Sequence, residues 1–185
     1  MTLTTRLLPT CLAAFLLAAC ASPGLPDIEG GAAASTVGAH RIDWKGLHDR
    51  LAGALASRPE IEVGAPGRDG LRLQIPVADG FASGSTELQP PLTHALDALA
   101  PALAGEGAVA VHVVGHTDSQ GSEMHNLQLS IGRAEAVADH LRRRGIALER
   151  LSADGRGEAD PLTSNASETG RARNRRVELQ LRAMP

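Results

Sequence analysis

The sequence predicts an α/β fold, a two-layer sandwich in which one mixed β-sheet carries helices packed on one face. Three observations carry that expectation. Leu71, Leu73, Ile75 and Val77 fall at every second position, as do Val177, Leu179 and Leu181 between Glu178, Gln180 and Arg182, the period of strands with one buried face. A β-branched run, residues 109–114, passes through a Gly/Asp/Ser cluster into a segment of helical period, so it reads as strand, loop and helix. Leu88, Leu92, Leu96, Leu99 and Leu103 give another helix its apolar stripe. No internal repeat and no second domain is visible.

In chain order, Arg6 precedes an apolar run, Leu7–Ala19, that has the form of a secretory h-region and is too short to span a bilayer. Residues 1–19 therefore read as a signal peptide. The run ends in Leu17-Ala18-Ala19-Cys20, which resembles a bacterial lipoprotein signal. That resemblance implies cleavage before Cys20 and acylation of Cys20, and several acyl chains anchor stably where one is marginal. Ala21 rather than Asp follows the cysteine, which implies sorting to the outer membrane with the domain facing the periplasm. Cys11 lies in the removed segment, so Cys20 is the only mature cysteine and an internal disulfide is excluded.

Residues 20–42 comprise that cysteine and a tether. Ala21–Arg41 is rich in Gly, Ala, Ser and Pro with no apolar period; such a segment spans about 70 Å fully extended and averages about 25 Å as a flexible coil. Residues 43–70 hold a short helix, with Asp43 as its cap and Trp44, Leu47, Leu51 and Leu55 on one face, and then the start of a hairpin at Ile61 and Val63. Residues 71–185 form the main domain. Pro90 and Pro91 suit the first turn of the second helix, whereas Pro101 predicts an end or kink near Ala100. A helix from the loop after Gly115 to about Arg144, a strand near residues 148–153 and a strand over 177–181 complete the chain.

The candidate site lies between Gly115 and Val137. Asp118 sits on the loop, fifteen residues before Arg133 on the helix, and one fixed anion with one fixed cation suits a zwitterionic ligand. At 100° per residue, Leu127, Ile131, Ala134, Ala138 and Leu141 form one stripe, the expected core face. Asn126, Ser130, Arg133 and Val137 form a second stripe about 90° away, expected to flank the core and face the ligand. A structural ion pair between Asp118 and Arg133 is the alternative reading of the same two residues.

The ordered motifs GHTDxxG, N, LS, RA and V across 115–137, then Leu151-Ser-Ala-Asp-Gly-Arg-Gly-Glu158, Pro161, Asn165 and Gly170-Arg-Ala-Arg-Asn-Arg-Arg-Val177, resemble the OmpA-like peptidoglycan-binding domain over roughly residues 71–182. Phe81–Leu88 resembles the phenylalanine-containing segment with which that domain begins. The resemblance implies non-covalent binding of the diaminopimelate in the cell-wall stem peptide, with Asp118 as the acid and Arg133 as the base. It assigns Thr117, Asn126, Leu127, Val137 and Arg175 to secondary contacts. A partner protein of the cell envelope, in a Tol-like, efflux or secretion assembly, is the alternative emphasis, with wall binding secondary.

Other readings are weaker. Two Phe, one Trp and no Tyr leave no base-stacking surface, and a net charge of −3 also argues against nucleic acid. His116, Asp118, Glu123 and His125 cluster in sequence but without HExxH spacing or a cysteine pair, so no metal or other cofactor is expected, and His116 is expected to orient the loop or bond a backbone carbonyl. Hydrolysis needs an activated nucleophile or paired carboxylates, whereas a carboxylate held by arginine suits ionic binding. Arg142–Arg144 reads as a solvated helix end favoured by the dipole. The chain is thus expected to be a non-enzymatic, wall-binding lipoprotein.

Overall fold

Alternating aliphatic residues set the register of the sheet. In the computed structural model, which describes residues 42–185 apart from 69 and 79, strand β2 (Gly70–Pro76) pairs antiparallel with β5 (Arg176–Ala183), so that Leu71 faces Leu181, Leu73 faces Leu179 and Ile75 faces Val177. Strand β3 (Val109–Gly115) joins the other side of β5 with Val111 opposite Leu181 and Val113 opposite Leu179. The aliphatic rows therefore run across the sheet on one face. The short β1 (Glu62–Val63) closes the β2 edge as a hairpin, and β4 (Leu151–Gly155) runs parallel to β3, giving the order β1-β2-β5-β3-β4. The signal peptide, Cys20 and the tether lie outside the described residues.

Helices α1 (Trp44–Ala54), α2 (Pro90–Ala104) and α3 (Glu123–Arg143) cover the aliphatic face. Leu47, Leu51, Leu96, Leu99, Leu103, Val137 and Leu141 are fully buried against Val111, Val113 and Leu179. Each such side chain contributes on the order of 2 kcal/mol by leaving water. Asp43 caps α1 by accepting from the Gly46 N–H, and Ser122 caps α3 by accepting from His125. Asp97 of α2 bonds His140 of α3 and Arg144, the residue that ends it, at 2.6 and 2.5 Å, and so joins the two helices.

Three expectations need correction. First, α2 runs through Pro101 to Ala104. Pro101 is exposed while Leu99 and Leu103 are buried on either side, and the Arg150 guanidinium donates to the Leu103 carbonyl at 2.7 Å, so burial and capping of the last turn outweigh one lost backbone bond. Second, the stretch 148–153 begins as a 3₁₀ turn, Leu148–Arg150, before β4, and a short helix, α4 (Glu168–Asn174), precedes β5 where none was expected. Ser167 caps α4 through the Gly170 N–H.

Third, the buried stripe of α3 is Asn126, Ser130, Arg133, Ala134, Val137, His140 and Leu141, whereas Leu127 is 37% exposed and Ile131 and Ala138 only half-buried. The two glycines at the strand ends explain the rotation. A Cβ on Gly115 would lie 2.1 Å from the Ser130 carbonyl oxygen, and one on Gly155 would lie 2.4 Å from Ser130 Oγ. Helix and sheet touch backbone to backbone there, which requires a small residue on the helix, and Ser130 Oγ also accepts from the Gly157 N–H at 2.9 Å. Hydrophobicity alone ranks Leu127 above Ser130; contact distance reverses the order.

Candidate functional site

The loop after β3, the first turns of α3 and Arg175 just before β5 enclose an open pocket of about 490 Å³, completed by Val77, Ala78 and residues 81–84. Asp118, Thr117, Asn126, Arg133 and Arg175 all line it. Leu127 and Val137 do not: Leu127 is exposed beside Asn126, and Val137 is fully buried in the core one helical turn beyond Arg133.

Asp118 and Arg133 do not bond each other among the described residues. Asp118 Oδ2 instead accepts from Arg175 Nη1 at 2.6 Å, and Oδ1 accepts from the Gln120 N–H at 3.0 Å, which turns the loop. Arg175 Nη2 reaches Glu168 Oε1 at 2.8 Å, so α4 steadies the arginine from outside. Its pKa is raised first by the Asp118 bond and then by the Glu168 bond.

Arg133 is 4% exposed. Its Nε donates to the Ser85 carbonyl at 3.0 Å and its guanidinium carbon lies 5.2 Å from the Phe81 ring centroid. One ring face and one N–H are thereby fixed, and no acceptor among the described residues takes the Nη groups. Burial, and then the charge of Arg175, lower its pKa, with Asp118 opposing. A buried cation without a carboxylate partner is an unusual and costly arrangement. A bound carboxylate would relieve it.

Asn126 ties the loops together: its Nδ2 lies within bonding distance of the Asp118 and Gln120 carbonyls, at 3.2 and 3.0 Å, and of Glu158 Oε2 at 2.8 Å. Thr117 is held by its backbone N–H to the Gly157 carbonyl at 2.8 Å, while its buried Oγ1 has no partner. Sequence reasoning missed Phe81, Ser85, Glu158 and Glu168 as site components. Phe81 and Glu158 stand inside the motifs quoted above, but their contacts with the helix depend on distant segments meeting; Ser85 acts through a carbonyl that every residue carries, and Glu168 belongs to the unforeseen α4.

His116 turns the opposite way, onto the far face of the sheet, away from Asp118. Neither ring nitrogen has a hydrogen-bond partner, so the carbonyl contact expected of it is not made. Burial, and then the charge of Arg176, push its pKa down to about 4, against the pull of Glu178, whose Oε1 is 3.8 Å away.

The profile described as the OmpA family matches residues 80–175. The "Probable lipoprotein YiaD" of Escherichia coli strain K12 is 38% identical over 113 residues, 61% of this chain and 52% of that protein. The "Peptidoglycan-binding protein ArfA" of Mycobacterium bovis is 39% identical over 99 residues, 54% of this chain and 30% of that protein. The chain thus spans about half the length of the first relative and less than a third of the second. Among solved structures, the cell wall anchor of the T6SS from Pseudomonas aeruginosa superposes with a TM-score of 0.65 at 34% identity, covering 73% of this chain and 98% of that one.

Proposed function

The chain belongs to the OmpA family, and on that premise we propose that it is an outer-membrane lipoprotein whose domain binds peptidoglycan without covalent chemistry, through the diaminopimelate of the stem peptide. One observation carries this reading: Arg133 is buried and lines a pocket that also holds Asp118, and no carboxylate of the described residues bonds its guanidinium. The free end of diaminopimelate bears an ammonium and a carboxylate on one carbon. The guanidinium fork takes the carboxylate bidentately, and the Asp118 oxygens, each with a lone pair left after bonding Arg175 and Gln120, take the ammonium.

Arg175 has a definite part in this scheme. By engaging Asp118 it keeps the acid from collapsing onto Arg133, so the two halves of the clamp stay apart. Similarity to the peptidoglycan-binding protein ArfA and to the Pseudomonas cell wall anchor supports the ligand class. Lysine lacks the second carboxylate, so a lysine-type stem peptide leaves Arg133 unpaired at a penalty on the order of 1–3 kcal/mol. Acylated Cys20 and the tether would let the domain reach the wall from the membrane surface.

Pull-down on purified sacculi tests the site. Retention should disappear in Asp118→Ala and Arg133→Ala while both variants remain folded; undiminished retention in those folded variants sinks the assignment, and release of soluble fragments would point to an enzyme instead. Calorimetry with the two stem peptides should favour the diaminopimelate form, and equal affinity counts against the charge clamp. The similarity to a secretion-system anchor favours a second reading, a wall-anchored interaction module of an envelope assembly. Crosslinking in cells followed by identification of captured proteins separates it from a general tether.

A further inference from the structure

The face of the sheet turned away from α1, α2 and α3 is polar and carries a second cavity, a groove of about 620 Å³ walled on one side by residues 156–162. Strand alternation builds it: with Leu71, Leu73, Leu179 and Leu181 committed to the core, Arg72, Glu178, Gln180 and Arg182 must point the other way. In register, Arg72 faces Gln180, which faces His112, which faces Ser152, and Arg182 lies two residues beyond Gln180 along β5. Arg156 enters from the end of β4, where its N–H bonds the Gly115 carbonyl.

Two of the three acids of this face, Glu178 and Asp154, are engaged by neighbours. Glu178 is 2% exposed, with Oε1 taken by Arg176 Nε at 2.8 Å and Oε2 by Gln180 at 3.2 Å, Arg72 standing 3.5 Å off. Asp154 accepts from the Gly155 N–H and lies 3.5 Å from Arg156, whereas Asp160 on the wall has its backbone carbonyl bonded by Arg176 and its exposed carboxylate unbonded among the described residues. The guanidiniums of Arg72 and Arg156 remain about half exposed, at 53% each, and Arg182 is exposed with one Nη on Gln180. Outward N–H donors therefore exceed the carboxylates that face them. Beneath, the 4% exposed His116 lines the floor with both ring nitrogens unpartnered.

We propose that this groove is an anion site for phosphate groups, held by Arg72 and Arg182 at one end and Arg156 at the other. Arg72 and Arg182 approach from neighbouring strands one pleat apart, so an anion bridging them must accept from two directions. A tetrahedral phosphate presents oxygens out of one plane and up to two charges, so each fork can have its own pair, whereas a planar carboxylate has only two oxygens to divide between them. The site is distinct from the diaminopimelate pocket: Arg175 points into that pocket, and Arg176, the next residue, into the groove. The phosphate belongs either to a lipid headgroup or to a soluble phosphate ester.

Two arms separate these sources, both on the full chain carrying Cys20→Ser. Calorimetric titration with inorganic pyrophosphate should show binding that weakens by about tenfold or more in the Arg72→Gln, Arg182→Gln double variant, as expected for losing charge-assisted bonds, and that Asp118→Ala leaves unchanged. Flotation on phosphatidylglycerol vesicles but not on phosphatidylcholine vesicles, lost in the same double variant, assigns the headgroup; pyrophosphate binding without flotation assigns a soluble ester. No binding to either probe, or binding that the double variant retains with its melting curve intact, overturns the proposal.

Discussion

Lowering the pH from 7 to 5 should remove roughly 2 kcal/mol of folding stability through His116 alone. The folded protein holds this ring at a pKa of about 4 against an ordinary 6.5, because burial and then the Arg176 charge disfavour the imidazolium. A histidine depressed in this way binds fewer protons folded than unfolded. Stability therefore falls as pH drops below 6.5 and stops falling, for this group, once pH passes below about 4. At about 1.36 kcal/mol per pH unit the whole depression corresponds to roughly 3 kcal/mol, and about two-thirds of it is spent by pH 5. His112, lowered chiefly by burial, acts in the same direction. Urea unfolding at pH 7, 6 and 5 reads the slope above the range in which carboxylates protonate, and ring-proton NMR reads the His116 titration directly. A His116 pKa near 6.5, or a loss below about 0.5 kcal/mol between pH 7 and 5, refutes the reasoning.

Further outcomes follow from the same structure. Gly155→Ala places a Cβ 2.4–2.6 Å from Ser130 and Ile131 and should destabilise by roughly 3 kcal/mol in urea unfolding, with loss of sacculus binding as α3 shifts. Phe81→Leu leaves an apolar side chain in place but removes the ring over Arg133; affinity for the stem peptide should fall by about 0.5–2 kcal/mol in calorimetry, and because Phe81 is buried the smaller side chain should also lower folding stability by about 1 kcal/mol. Cys20→Ser should abolish labelling by a fatty-acid probe, and continued labelling refutes the anchor.

The strands were the most legible part of the fold, because Leu71, Leu73, Leu179 and Leu181 alternate without exception and the sheet has one wet face. The helix of the site was legible in extent but not in rotation. Its orientation is set by contacts of Ser130 with Gly115 and Gly155, and a contact between backbones leaves no trace in a hydrophobicity pattern. Asp118 and Arg133 could be singled out by spacing and resemblance, yet their relation could not. That Asp118 spends one oxygen on Arg175, fifty-seven residues away, depends on β5 lying beside β3, which only the assembled sheet provides. Pro101 failed as a stop signal because Leu103 has a buried place to fill beyond it.

The glycine contacts that seat α3 also bear on how fast a ligand is captured. A helix pressed against strand backbone at Gly115 and Gly155 has no room to rock, so Asn126 and Arg133 stand in place before anything arrives. Little ordering entropy is then lost on association, and no closing step stands between encounter and complex. Related stem peptides should accordingly arrive at similar rates and differ in how long they stay. In the tethering role proposed above, dwell time is the property that matters: the membrane would stay near the wall for as long as each single clasp outlasts the next collision.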